Sequence, residues 1–189
     1  TSVLMAAPKG QGSGGRGPRR GSGSGDGDGG ARQQSDLNEP VVVKINRSSA
    51  VVKGGRRFSF SALVVVGNGR GKVGMGYAKA KEVTGAVDKA AKDARRNMVE
   101  VPRAGTTIPH AIEANFGSSG VKIRPAAVGR GVVACAAVRA VMESAGIQDI
   151  VTKSTGNNNP INLVKATMTA ISKLRTISQV ENLRGVKIS

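Results

Sequence analysis

From residue 40 onward the apolar positions fall into runs with a recognisable period. Val41, Val43 and Ile45 alternate with Val42, Lys44 and Asn46, the two-residue repeat of a strand. A second run, residues 58–66, puts Phe58, Phe60, Ala62 and Val64 on one face. In a third, Val73, Met75 and Tyr77 alternate with Gly74, Gly76 and Ala78. The period then changes. Val87, Ala90, Ala91, Ala94 and Met98 recur at helical spacing, which predicts a helix over 84–98 with Thr84 as its N-cap. Three strands and a helix make one small layered unit, residues 37–100. Residues 101–105 read as a linker. A second unit, residues 106–178, is predicted to hold strands at 107–116 and 121–124 and an alanine-rich helix at 131–144, stopped by Gly146. A strand at 147–152, a loop at 154–160 and a helix at 161–174 complete it. Residues 179–189 carry weak signals and are taken as a tail. The fold class is α+β.

Ahead of this pattern, residues 1–36 have no periodicity. The first 40 residues hold 11 of the 27 glycines, mixed with Ser, Arg and Asp. Such a segment cannot bury enough apolar surface to offset its ordering entropy, so a disordered extension is expected.

Charge changes the picture. The chain carries 29 Lys and Arg against 12 Asp and Glu, net +17. Residues 1–40 have five basic and four acidic side chains, whereas residues 41–108 have fourteen and four. The positive charge therefore belongs to the part with folding periodicity, and nucleic acid is the first candidate partner. With one Cys (Cys135) and one His (His110), a disulfide framework, a zinc cluster and a Cys/His dyad are excluded within this sequence. No apolar run approaches the ~20 residues that cross a bilayer, and no signal peptide is evident at the start. A soluble, intracellular chain without cofactor, membrane contact or small-molecule substrate is the expectation.

Two glycine motifs need separate treatment. GNGRGKVGMGY, residues 67–77, contains the GxGxxG spacing of dinucleotide-binding proteins. That fingerprint requires a helix to begin inside the motif, but strand alternation continues through Tyr77. The phosphate-loop reading fails because Lys72 is followed by Val73, not a hydroxyl residue. Asn68-Gly69 between two apolar runs instead predicts a hairpin. Arg70 and Lys72 then sit at its tip, and Lys79 and Lys81 just before the helix. The second motif, Gly129-Arg130-Gly131, could offer N–H groups to an anion, allow a tight turn, or serve a protein interface. A kinase-like enzyme and a free-standing RNA chaperone or regulator stand as alternatives to a structural RNA-binding protein.

Longer stretches carry a family resemblance. Residues 53–83, KGGRRFSFSALVVVGNGRGKVGMGYAKAKEV, with KDARRNM at 92–98, resemble the small ribosomal subunit protein five family of bacterial type. RPAAVGRGVVACAAVRAVMESAGIQDI at 124–150 and NNNPINLVKAT at 157–167 agree with it. The resemblance implies an N-terminal double-stranded-RNA-binding-like domain and a C-terminal α/β two-layer domain with a left-handed crossover. It implies no catalysis, binding of 16S-type ribosomal RNA, stabilisation of the head–body arrangement, and a part in decoding accuracy in the cytoplasmic ribosome. Contacts with small-subunit proteins four and eight, near the messenger entry path, are also implied. The residues expected to meet RNA are Arg47, Lys53, Gly54, Gly55, Arg56, Arg57, Arg70, Lys72, Lys79, Lys81, Arg95 and Arg96. Gly129, Arg130, Gly131 and Arg139 are expected at the interface with protein four.

Overall fold

The structure, a computed structural model, describes residues 37–187. The expected disordered extension, residues 1–36, lies outside the described residues. The first sheet is antiparallel, in the order β1 (Val41–Val52), β2 (Gly55–Gly67), β3 (Lys72–Ala80), β4 (Met98–Glu100). Helix α1 (Val83–Arg96) covers one face, with Ala86, Ala90, Ala91 and Ala94 buried against Ala62, Val64 and Val66. Small side chains on both sides set a close approach. Gly74 and Gly76 of β3 allow it, because a Cβ at either would collide with a carbonyl of α1, that of Ala94 or Ala90.

The second sheet has the order β5 (Ile112–Phe116), β6 (Ser119–Pro125), β8 (Ile150–Gly156), β7 (Val132–Val133), with only the β7–β8 pair parallel. Helices α2 (Ala136–Ala145) and α3 (Pro160–Lys173) pack on one of its faces, and α4 (Ile177–Arg184) follows. The connection β7–α2–β8 is the parallel crossover.

The two sheets share one core. Leu63, Val65 and Val73 of the first join Val138, Val141, Met142, Ala145 and Ile147 of the second. Strand β2 is thus buried on both faces over residues 61–67, which is why ALVVVG reads as a continuous apolar run and not as alternation. The first unit is α+β as expected, but its second face belongs to the rest of the chain. Residues 101–105 run across this junction, with Val101 buried and its N–H donating to the Gly71 carbonyl at 2.7 Å.

Several boundaries differ from the sequence expectation, each for a local reason. The basic segment 53–57 is not a loose connection: Lys53-Gly54 is a two-residue turn, and Gly55 already pairs with Val52. Helix α1 is shorter, and Glu82, not Thr84, precedes it without a side-chain cap. Met98 leaves the helix to pair with Gly74. Strand β5 begins at Ile112, because the Thr106 and Thr107 backbone is held in turns with Ala104, Gln148 and Asp149, and Pro109 has no N–H for a ladder. Val132 and Val133 pair with Ile150 and Val151, so α2 starts at Ala136. Strand β8 extends to Gly156 across residues expected to be loop. Helix α4 was missed, although Thr176 and Gln179 form a reciprocal capping box legible as T-x-x-Q.

Candidate nucleic-acid interface

The outer part of the β1–β2 hairpin projects beyond the core as an arm. Every residue over 44–58 is exposed. From the Arg47–Phe60 pair to the turn the ribbon reaches about 20 Å. Its basic residues are Lys44, Arg47, Lys53, Arg56 and Arg57, and the stretch contains no acid. Cross-strand register puts Arg47, Val51, Arg56 and Phe58 on the α1 side of the ribbon, and Arg57 on the other with Ser48 and Ala50. The Arg47 guanidinium lies over the Phe58 ring, 4.8 Å from its centroid. Phe58 and Val51 remain 43% and 79% exposed, an unusual outlay of apolar surface on a free ribbon. Gly54 takes a φ of 94° in the turn, and a Cβ at Gly54 or Gly55 would meet nothing. Gly54 serves the turn, and both leave the arm's tip open to close approach.

At the root of the arm is an open recess of ≈ 670 Å³ lined by Ser48, Ser59, Lys79, Lys81, Glu82, Gly85 and Lys89. The N-terminus of α1 opens onto it. Its first turn has neither an acidic side chain nor a capping hydrogen bond, so its leading N–H groups are uncapped; Glu82, just before the helix, is the one acid lining the recess, against three lysines. Lysines around an uncapped helix N-terminus are what a phosphate requires. Lys89 was not among the residues expected to meet RNA. Its signal was available, since it lies one helical turn after Gly85 on the same face.

The remaining expected RNA residues lie elsewhere. Arg95 and Arg96 end α1, about 20 Å from Lys81 along the helix. Arg70 and Lys72 are at the opposite end of β3 from Lys79, roughly 23 Å away. These four therefore lie away from the recess. Lys72 is opposite Glu100 in the β3–β4 register. Arg103, also not anticipated, donates from its guanidinium to the Arg70 carbonyl at 2.9 Å. Among the described residues, none of the ten expected RNA-binding cations is in an ion pair.

The glycine stretch is a hairpin, but not the tight one expected. Asn68 keeps negative φ; instead its Oδ1 accepts from the Arg70 and Lys72 N–H groups at 2.8 and 2.9 Å. Gly69 and Gly71 take the positive φ values, 64° and 104°. Their N–H groups donate to the carbonyls of Ser144 and Ala145 at 3.0 and 2.9 Å. The Met142 and Glu143 carbonyls accept from Ile147 and Gly146. All four final carbonyls of α2 are thereby satisfied, two of them by the hairpin of the other sheet. Donors spent on carbonyls are not available to a cofactor phosphate, so the dinucleotide reading is excluded by geometry.

The second glycine motif also has its N–H groups in use. Gly129 and Gly131 adopt φ of 87° and 76° in an exposed loop where Val128 is 84% exposed. The Gly131 N–H donates to Asp149 Oδ1 at 2.9 Å, and Asp149 is only 3% exposed. That N–H is the main cause holding the Asp149 carboxyl below its usual range. Burial opposes it, while the Thr106 hydroxyl and the Gly129 and Arg130 N–H groups add to the lowering. The chain's own carboxylate fills the place of an anion. Arg130 and Arg139 are exposed, Arg139 on the first turn of α2.

A depressed carboxyl contributes stability above the unfolded-state value near ~3.9, lost as pH falls through the lower folded value. Asp149→Asn is therefore expected to lower the thermal midpoint at pH 7. It should also shrink the difference between midpoints at pH 7 and pH 3, which thermal denaturation at both pH values would read.

His110 has a structural place: its Nε2 accepts from the Arg175 N–H at 3.2 Å and its Nδ1 lies 3.0 Å from the Ala111 carbonyl. Among the described residues no group of three or more His, Cys, Asp or Glu could hold a metal ion. No helix there is long and apolar enough to cross a membrane.

Residues 39–102 match the family described as "Ribosomal protein S5, N-terminal domain", and residues 114–184 match "Ribosomal protein S5, C-terminal domain". The small ribosomal subunit protein uS5 of Rhodopirellula baltica is 57% identical over 145 residues, spanning 77% of this chain and 82% of the relative. The two matches take in the arm, the recess, the capped hairpin and the Asp149 loop, and the chain belongs to the ribosomal protein S5 family.

Proposed function

We propose that the arm and the recess at its root are the surface through which this chain holds small-subunit ribosomal RNA. Family membership makes the chain a structural, non-catalytic constituent of the small ribosomal subunit that binds its RNA. The observation that carries the placement is the arm: fifteen consecutive exposed residues with five cations and no anion. A two-stranded ribbon of like charge gains little from the core, and a polyanion removes its self-repulsion. Arg47, Lys53, Arg56 and Arg57 meet phosphates, with Gly54 and Gly55 allowing close approach. Lys79, Lys81 and Lys89 with the α1 N-terminus hold a further phosphate in the recess. Arg70, Lys72, Arg95 and Arg96 supply a separate contact at the far end of α1. Recognition of this kind reads backbone shape more than base sequence.

Finer features follow the same reading. The RNA is 16S-type, and the ribosome is bacterial. The exposed loop of Gly129, Arg130 and Gly131, with Arg139, faces protein four, and neighbouring surfaces of the second sheet's unit face protein eight. The hydrogen bond from Gly131 to Asp149 holds this loop against the second sheet's unit, which fits roles in head–body arrangement and decoding accuracy near the messenger entry path.

Sedimentation separates this from a free-standing chaperone. The purified chain should rejoin small subunits stripped of it in a one-to-one ratio and stay bound through a gradient; a chaperone would remain at the top. In the same assay at 0.1 M salt, Lys79→Ala with Lys81→Ala should weaken binding about 6-fold, from the one phosphate lost in the recess.

A further inference from the structure

The second sheet has an open face. Helices α2 and α3 cover the side that carries Ala114, Val121, Ile123 and Ile150. On the other side, cross-strand register aligns Glu113, Lys122 and Lys153 in one row, Asn115, Gly120 and Thr155 in the next, and Arg124 beside Val151 in a third. All three basic residues are exposed.

Two features of this face suit a bound anion. Lys122 and Lys153 are directly opposite each other, an arrangement of like charges that destabilises a sheet. Glu113 neutralises only Lys122, at 3.1 Å. Lys153 and Arg124 have no ion-pair partner among the described residues. In the adjoining row Gly120 has no side chain, and the Asn115 amide and Thr155 hydroxyl close over it, in the space a Cβ would take. Both side chains are exposed, so their polar atoms are open to solvent or to a ligand. A net-positive flat surface with two exposed hydrogen-bonding groups at its centre complements a phosphodiester backbone, whose phosphates and sugar hydroxyls lie in similar rows.

We infer that this open face is a second RNA-docking surface. Lys153, Lys122 and Arg124 lie on phosphates, and Asn115 and Thr155 on a phosphate or 2′-hydroxyl between them. The inference rests on the ribosomal reading only for the identity of the polymer. It is independent of the arm, which is in the other sheet.

Ultraviolet crosslinking of assembled small subunits followed by mass spectrometry tests it, using the full chain. Peptides from β6 and β8 should carry crosslinked ribosomal RNA. Arg124→Ala with Lys153→Ala should make the log–log salt dependence of RNA binding shallower by about 2, with the arm unaltered. In a variant lacking the arm's cations, the β6 and β8 crosslinks should persist; an arm variant with unchanged binding would overturn the arm reading and leave this one standing. Crosslinks from β6 and β8 to a neighbouring protein in place of RNA would overturn the inference, as would an unchanged salt slope in the double variant.

Discussion

Replacing Arg47, Lys53, Arg56 and Arg57 together with alanine is expected to weaken ribosomal RNA binding by about 10³-fold at 0.1 M salt. Each phosphate contact contributes roughly 0.7–0.9 to the log–log salt slope, so each is worth nearly a decade of affinity one decade below molar salt. Four such contacts give about three decades. The fold should survive, since all four side chains are exposed and the ladder from Val52–Gly55 to Arg47–Phe60 is made by backbone. Loss of Arg47 also uncovers the Phe58 ring, but that ring is not part of either core cluster. Filter binding with small-subunit RNA reads the affinity, and circular dichroism checks that the variant is folded.

The largest effect on stability is expected at Gly76. Its missing Cβ is the space occupied by the Ala90 carbonyl and the Ala94 amide nitrogen of α1, neither of which is a movable side chain. Gly76→Val therefore forces the helix off the sheet and opens the layer of Ala62, Val64, Val66, Ala86, Ala90, Ala91 and Ala94. A loss of about 3 kcal/mol or more is expected, at the upper end for overpacking. For a chain of this size that lowers the thermal midpoint by roughly 6–12 °C. Gly85→Ala is the contrasting variant: its Cβ would meet Ala80 Cβ at 3.7 Å, ordinary contact, within a helix. It should be neutral or slightly stabilising.

Gly76 also illustrates what sequence could and could not supply. Strand period was readable in Val73, Met75 and Tyr77, and so was the alanine stripe of α1. The reason for the glycines between them, carbonyls of a helix 14 to 20 residues further on, was not. The same holds for GNGRG: the hairpin was legible from Asn68-Gly69, but its N–H groups end on α2, some 75 residues away, and nothing local signals that. Strand β2 was assigned one apolar face because alternation assumes a single core, whereas its two faces belong to two clusters. Local chemistry fared better where it was local. Gly146 stops α2 with positive φ as expected, and the capping box at Thr176 could have been read and was not. For the candidate site, the arm's charge was legible because residues 44–58 contain no acid. Its division from Arg70, Lys72, Arg95 and Arg96 depends on strand and helix length in three dimensions. Lys44 and Lys89 could have been read from the acid-free stretch and the helical spacing and were not, whereas Arg103 meets Arg70 only across 33 residues of sequence.

The measurement that bears most directly on the arm as the RNA-holding element is the salt dependence of ribosomal RNA binding, compared between the natural chain and the quadruple arm variant. With about six phosphates engaged, log affinity against log salt should fall with a slope near −5 for the natural chain. The variant should be shallower by about 3, its affinity converging on that of the natural chain toward molar salt. A slope unchanged by the four substitutions, or one near zero for the natural chain, would contradict the account.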